Sequence, residues 1–164
     1  MRISEELLSI DREQLDQMRQ HHIGRLLQQT SRAFNVRAIT KLQQYGHAGL
    51  SLAHTSLLSN LDLEGTRITI LAERAGMTKQ SMGQLALDLE KRGYIQRVID
   101  PRDHRATLML FTAAGWQFLQ DAYQVKGEIE TEYRAFLGDE GMRLFRSSLL
   151  ILLEQSNQKG EKAQ

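Results

Sequence analysis

The chain has no cysteine, one proline and one tryptophan, and its longest uninterrupted apolar run is Leu149 to Leu153. Each scarcity removes a class of explanation. Without thiols there are no disulfides, no thiolate metal sites and no cysteine-based redox switch, which agrees with a reducing compartment. The apolar run is far shorter than the roughly 20 residues that cross a bilayer as a helix, so no membrane partner is expected. The opening "MRISEELLSIDRE" lacks the basic start and apolar centre of a secretory signal, and a cytoplasmic protein is expected. A net charge of only +1 gives the chain as a whole no pull toward polyanions. No phosphate loop, G-x-S-x-G, H-E-x-x-H or convincing acid pair is present, so neither an enzyme nor a cofactor is expected.

What is present is a composition suited to one domain with a sizeable core: 164 residues, 41% hydrophobic and 25% charged. Charge is unevenly spread. Between Arg67 and Arg105 bases outnumber acids by eight to five, so the remainder is net acidic.

From about Ser4 to Tyr45 the pattern is helical, with Gly24 as the interruption: Leu15, Met18, Leu26, Thr30, Ala33, Phe34, Ala38, Leu42 and Tyr45 recur at spacings near three and four. A run that long suggests packing against more than one partner, a second subunit among them. "YGHAG" breaks it. A shorter helix follows with Leu50, Ala53, His54, Leu57, Leu58 and Leu61 along one side.

The centre carries the sharpest signals. "RITILAERAG" predicts a short helix with Ile68, Leu71, Ala72 and Ala75 inward, and Gly76 turns the chain. Thr78 is a good N-cap for the next helix, where Met82, Leu85, Ala86 and Leu89 form the buried stripe and Gly93 takes the left-handed exit. Two short helices joined by a tight turn are a helix-turn-helix. "YIQRVI" and "ATLMLF" then predict two strands around "DPRDHR", in which Asp100-Pro101-Arg102-Asp103 has the chemistry of a turn. Thr112 starts a second long helix to about Leu137. After "GDEG" a last helix runs from Met142 to about Gln155, before a polar tail expected to fray.

A recognition helix in a major groove offers its N-terminal residues to the bases. Here those are Lys79, Gln80, Ser81 and Gln84: the glutamines suit adenine, Ser81 base or phosphate, and Lys79 guanine or phosphate. The competing reading is a solvated face of a core helix. Gly83, costing about 1 kcal/mol in a helix interior relative to alanine, is better explained if a neighbouring backbone or DNA comes close. Asp103 and Arg105, two apart in a strand, share a face, so Asp103 is expected to brace Arg105.

The segment "TRITILAERAGMTKQSMGQLALDLEKRGYIQRVIDPRDHRATLMLFTAAGWQFL" resembles the multiple-antibiotic-resistance regulator (MarR) family of bacterial transcription factors. The resemblance lies in the "LA…G…T…L…LE.RGY" helix-turn-helix, in the wing pattern D-x-x-D-x-R at Asp100, Asp103 and Arg105, and in the following "FT..G". It implies a mainly α fold with a small β-hairpin wing, a winged helix-turn-helix flanked by N- and C-terminal dimerisation helices. The regions would be 1–45 and 112–156 for dimerisation, 46–111 for DNA binding and 157–164 as a flexible tail, within one structural domain. It implies that Arg105 enters the minor groove, with Arg102 and His104 at phosphates or the groove edge. It further implies a homodimer on a pseudo-palindromic operator in double-stranded DNA, with Leu7, Leu8 and Ile10 and the C-terminal Phe136, Leu137, Leu144, Phe145, Leu149 and Leu152 covered by the partner.

Many family members release DNA when a small phenolic or carboxylate effector enters a cleft between arms and head. For such a ligand His22, Arg25, His54, Trp116 and Tyr123 are the candidates, each competing with a packing role. A metal sensor built on histidines and carboxylates is an alternative, weakened because no H-x-x-x-H pair puts two imidazoles on one helix face; no metal site is expected. The other alternative is a winged helix used for protein contact, or an architectural DNA binder without an effector.

Overall fold

The computed structural model of the chain describes residues 12–161, so Leu7, Leu8 and Ile10 lie outside the described residues. The helical run expected from Ser4 to Tyr45 is two helices there, α1 (Arg12–His21) and α2 (Ile23–Gln44). The break falls at His22, not at Gly24, because the His22 ring caps α2: its Nδ1 accepts the Gly24 amide at 3.1 Å. Next comes α3 (Leu52–Asn60), opened by a capping box in which Ser51 accepts the His54 amide and the His54 ring accepts the Ser51 amide.

A two-residue strand, β1 (Thr66–Arg67), precedes α4 (Ile68–Arg74), and α5 (Lys79–Lys91) follows a short turn. Thr78 caps α5 as its sequence predicts, accepting the Ser81 amide at 3.1 Å. The hairpin strands are β2 (Ile95–Asp100) and β3 (Asp103–Phe111), so β3 begins earlier than the "ATLMLF" reading and leaves Pro101 and Arg102 as the tip. β1 pairs antiparallel with the other side of β3 through Thr66 with Met109 and Arg67 with Leu108, giving the strand order β1-β3-β2. This third strand was not legible beforehand; two residues are too few to show alternation.

The last element, α6 (Ala113–Glu161), is helical except at Gly138, whose φ of 69° kinks it where "GDEG" predicts a break. It continues past the expected frayed end near Gln155, since nothing in "SNQKGE" forbids helix. Thr112 caps its start, accepting the Gly115 amide at 3.2 Å. Gly115 allows α6 to press on the sheet: a Cβ there would lie 2.1 Å from the Tyr94 carbonyl oxygen.

One core joins these elements. Leu57 and Leu58 of α3, Leu71 of α4, Met82, Ala86 and Leu89 of α5, Ile95 and Met109 of the sheet, and Phe118, Val125 and Ile129 of α6 are buried together. Each large member contributes about 1.5–3 kcal/mol through removal from water. The fold is a winged helix-turn-helix carried on long helices. No helix among the described residues is long and apolar enough to cross a membrane.

Candidate nucleic-acid interface

The inward stripe of α5 fixes what its other side displays. With Met82, Ala86 and Leu89 held in the core, Lys79, Gln80, Ser81 and Gln84 stand exposed over the first half of the helix. The Ser81 hydroxyl oxygen accepts from the Thr78 hydroxyl at 2.9 Å and keeps its own proton for donation. Gly83 has open space around it: an added Cβ would meet nothing within 4 Å. The neighbouring backbone invoked as one reason for this glycine is therefore absent.

On the wing, Arg102, His104 and Arg105 are exposed, and Asp103 is half-buried. The expected brace between Asp103 and the Arg105 guanidinium is not formed. Asp103 accepts the Arg105 backbone amide at 3.2 Å, and its other oxygen lies 3.3 Å from Arg67 Nη2. Arg67 also donates twice to Asp100, from Nε at 2.9 Å and Nη2 at 2.6 Å. Asp100 is 5% exposed. The Arg102 amide and then the Arg67 guanidinium hold its carboxyl below the usual carboxylate range. An arginine on a different strand outcompetes the nearer one because its fork reaches both wing acids while Arg105 points to solvent.

The bases of this segment divide into two sets. Arg67 pairs with Asp100, Arg74 with Asp62, Arg92 with Asp88 and Arg97 with Glu90. Lys79, Lys91, Arg102 and Arg105 make no ion pair among the described residues. Three of these unpaired cations sit at the start of α5 or on the wing, where their charge is uncompensated and available to an anion. All eight bases are alike in the sequence; only pairing in the fold separates them.

The expected ligand residues are dispersed. His22 and Arg25 line a concavity of about 380 Å³ with Leu15 and Arg19. His54 is buried with both ring nitrogens engaged, Nδ1 at Ser51 and Nε2 2.9 Å from Asp88, so it ties α3 to α5. Trp116 is tilted against Phe111, with ring centroids 5.9 Å apart. Tyr123 is 72% exposed and lines a cavity of about 560 Å³ with Leu58, Leu61, Leu63, Phe118 and Lys126. A polar centre missed from the sequence is His47, buried between the Tyr94 hydroxyl at 3.0 Å and Asp121 at 2.9 Å. No group of three histidines and carboxylates suited to a metal ion occurs among the described residues.

A helix pair with an outward polar face, backed by a three-stranded sheet with a projecting hairpin, defines a winged helix-turn-helix protein. Residues 48–106 match the profile described as MarR family. That match spans 59 of the 164 residues, and over it the chain is similar to the MarR family. It is 30% identical over 84 residues to transcriptional regulator HosA of Escherichia coli O111:H-, a match covering 51% of this chain and 62% of HosA. The chain thus spans somewhat less than two thirds of that relative's length. Its fold is similar to the crystal structure of MarR, with a TM-score of 0.71 and 23% identity over 84% of this chain and 98% of that one. It is also similar to CouR from Rhodococcus jostii RHA1 bound to p-coumaroyl-CoA, with a TM-score of 0.63 and 24% identity over 79% and 90% of the two chains.

Proposed function

We propose that the protein is a cytoplasmic, dimeric, sequence-specific DNA-binding repressor. One observation carries this reading: Lys79, Gln80, Ser81 and Gln84 at the start of α5, and Arg102 and Arg105 on the wing, are exposed, and among the described residues no acid pairs with the cations. The α5 set suits base edges in a major groove, and Arg105 on a stiff hairpin suits the negative potential of the adjoining minor groove. Double-stranded DNA selected from a random library by the wild-type protein, followed by gel shift, tests it. Arg105→Ala should weaken binding to the selected duplex by about 1–3 kcal/mol with the fold intact. Unchanged affinity at moderate salt, or no enrichment of any duplex, removes the assignment.

Two copies are part of the reading. Ile23 is 65% exposed, Phe136 83%, and Leu150 to Leu153 between 53% and 60%, an apolar surface on the arms that a second arm pair would cover. A two-fold dimer would set its recognition helices roughly 34 Å apart and read half-sites about 10 base pairs apart. A monomer in sedimentation at micromolar concentration contradicts this.

The effector is expected in the cavity between the α3–β1 connection and α6. Phe118, Leu58 and Leu61 supply apolar walls, and the Lys126 Nζ sits 5.2 Å from the Tyr123 ring centroid at the rim. An aromatic carboxylate satisfies both features, and CouR in complex with p-coumaroyl-CoA shows that one protein of this fold takes an aromatic acyl compound. Such a ligand releases DNA only if it binds the DNA-incompetent dimer more tightly than the competent one. Salicylate and related aromatic acids added to the gel shift check this, with Tyr123→Ala as the control.

A further inference from the structure

Beyond β1 the wing is only two strands wide. The third strand ends with Arg67 opposite Leu108, while β3 continues back to Asp103 and the tip to Arg102 and Pro101. That stretch projects about 3.3 Å per residue past its last flank, and a free two-stranded ribbon is marginally stable and strongly twisted. What reaches it is the Arg67 side chain. Its guanidinium binds Asp100 twice and approaches Asp103 at 3.3 Å, so it grips the two acids on either side of the Pro101–Arg102 tip. The irregularity between Ile99 and Asp100 belongs to the same device, placing a carboxylate that is 5% exposed against the arginine. Arg67 is also the residue immediately before α4, and its side chain makes no capping bond there. One residue therefore joins the hairpin tip to the helix pair.

We infer that Arg67 is the positioning residue of the interface: it fixes the distance and angle between Arg105 on the wing and Gln80 and Gln84 on α5, so that both grooves are met at once without ordering the wing on binding. This rests on the DNA-binding reading above. Arg67 itself touches no base in this account; it acts through the wing. Removing it leaves Asp100 without its charged partner and lets the tip swing, so the wing's contribution is lost to the cost of ordering it.

The test is a pair of double-mutant cycles on a duplex selected by the wild-type protein. Arg67→Gln should weaken binding roughly tenfold, and combining it with Arg105→Ala should add little to either change alone, because both disable the same wing. With Gln80→Ala its effect should multiply, since the major-groove contact is untouched. A purely structural role would weaken both contacts alike, and a direct phosphate contact by Arg67 would multiply with Arg105→Ala. Arg67→Lys should restore part of the affinity and Asp103→Asn should mimic a milder loss, which keeps the inference testable if the glutamine variant fails to fold. Without DNA, amide exchange over residues 98–107 should quicken at least tenfold in Arg67→Gln while α5 stays protected. Failure of the wild type to enrich any duplex overturns the DNA-binding reading and this inference with it. A selected duplex on which Arg67→Gln binds normally, or multiplies with Arg105→Ala, overturns only the anchor.

Discussion

The head and the arms of this molecule use the same residue types to opposite ends. From Leu50 to Val125 the large aliphatic side chains close on one another, and Leu57, Leu58, Leu71, Met82 and Leu89 have no exposed surface. Along the far half of α6 most leucines are exposed, while α2 and α6 meet through apolar contacts such as Phe34 edge-on to Tyr133 and through a charge ladder in which Arg37 and Lys41 of α2 bind Glu128 and Glu132 of α6 at 2.7 to 3.1 Å. The kink at Gly138 folds α6 so that Tyr133, Met142, Phe145 and Leu149 line a cavity of about 450 Å³ with Ile23, Leu26 and Phe34. The head's core, which also takes in Leu42 of α2 and Ile129 of α6, holds the exposed face of α5 in place. The arms leave much of their apolar surface exposed among the described residues, the surface that the proposed dimer would cover.

The largest way to break this contrast is Leu152→Glu. If the exposed C-terminal stripe is buried in a dimer, a carboxylate there costs several kcal/mol and should weaken self-association by more than about a hundredfold in sedimentation; an unchanged dimer would place the interface elsewhere. Matched truncations come next. Leu89→Ala in the head should cost about 2–5 kcal/mol in denaturant unfolding, whereas Leu150→Ala, measured on dissociated chains, should stay within about 0.5 kcal/mol. Equal costs would erase the distinction.

Gly83→Ala sharpens the head's side of the comparison. Because a Cβ finds open space there, the substitution should stabilise the fold by about 0.5–1 kcal/mol. If the glycine is kept for close approach to DNA, the same change weakens binding to the selected duplex; a variant both more stable and equally tight would leave Gly83 without a binding role. The smallest effect belongs to the arms' charge ladder. Hydrogen bonds from Arg37 and then Lys41 push the Glu132 carboxyl from its ordinary 4.5 down to about 2. A depressed carboxylate pKa means stability that is present above the unfolded value and lost as pH falls through the folded one. The α2–α6 contact should therefore loosen between pH 4.5 and about 2, and Glu132→Gln should flatten that acid limb in an unfolding titration. Both partners are partly exposed, so salt should shrink the effect.

Much of the head was legible in the residues because its signals are local. Thr78 and Thr112 cap the helices that follow them, Met82, Ala86 and Leu89 repeat at helical spacing, and Asp100-Pro101 starts a tight turn. Each depends on neighbours within four positions. The outward placement of Lys79, Gln80, Ser81 and Gln84 follows from the inward stripe by the same geometry. A ligand cleft is not legible in this way, because a histidine on an apolar face looks alike whether it awaits a ligand or serves as a cap. His54 turned out to be committed to Ser51 and Asp88.

The sequence by itself determined the helix-turn-helix, the hairpin and the face each would show, since periodicity and turn chemistry act along the backbone. Only the tertiary structure decided which charges are spent and which are left over. Arg67 meets Asp100 across 33 positions of chain, and Arg37 meets Glu132 across 95. No local pattern encodes such pairings, because an ionic partner is chosen by which side chains the packed backbone brings within reach, and that choice leaves Arg105 on the wing without an ion pair among the described residues.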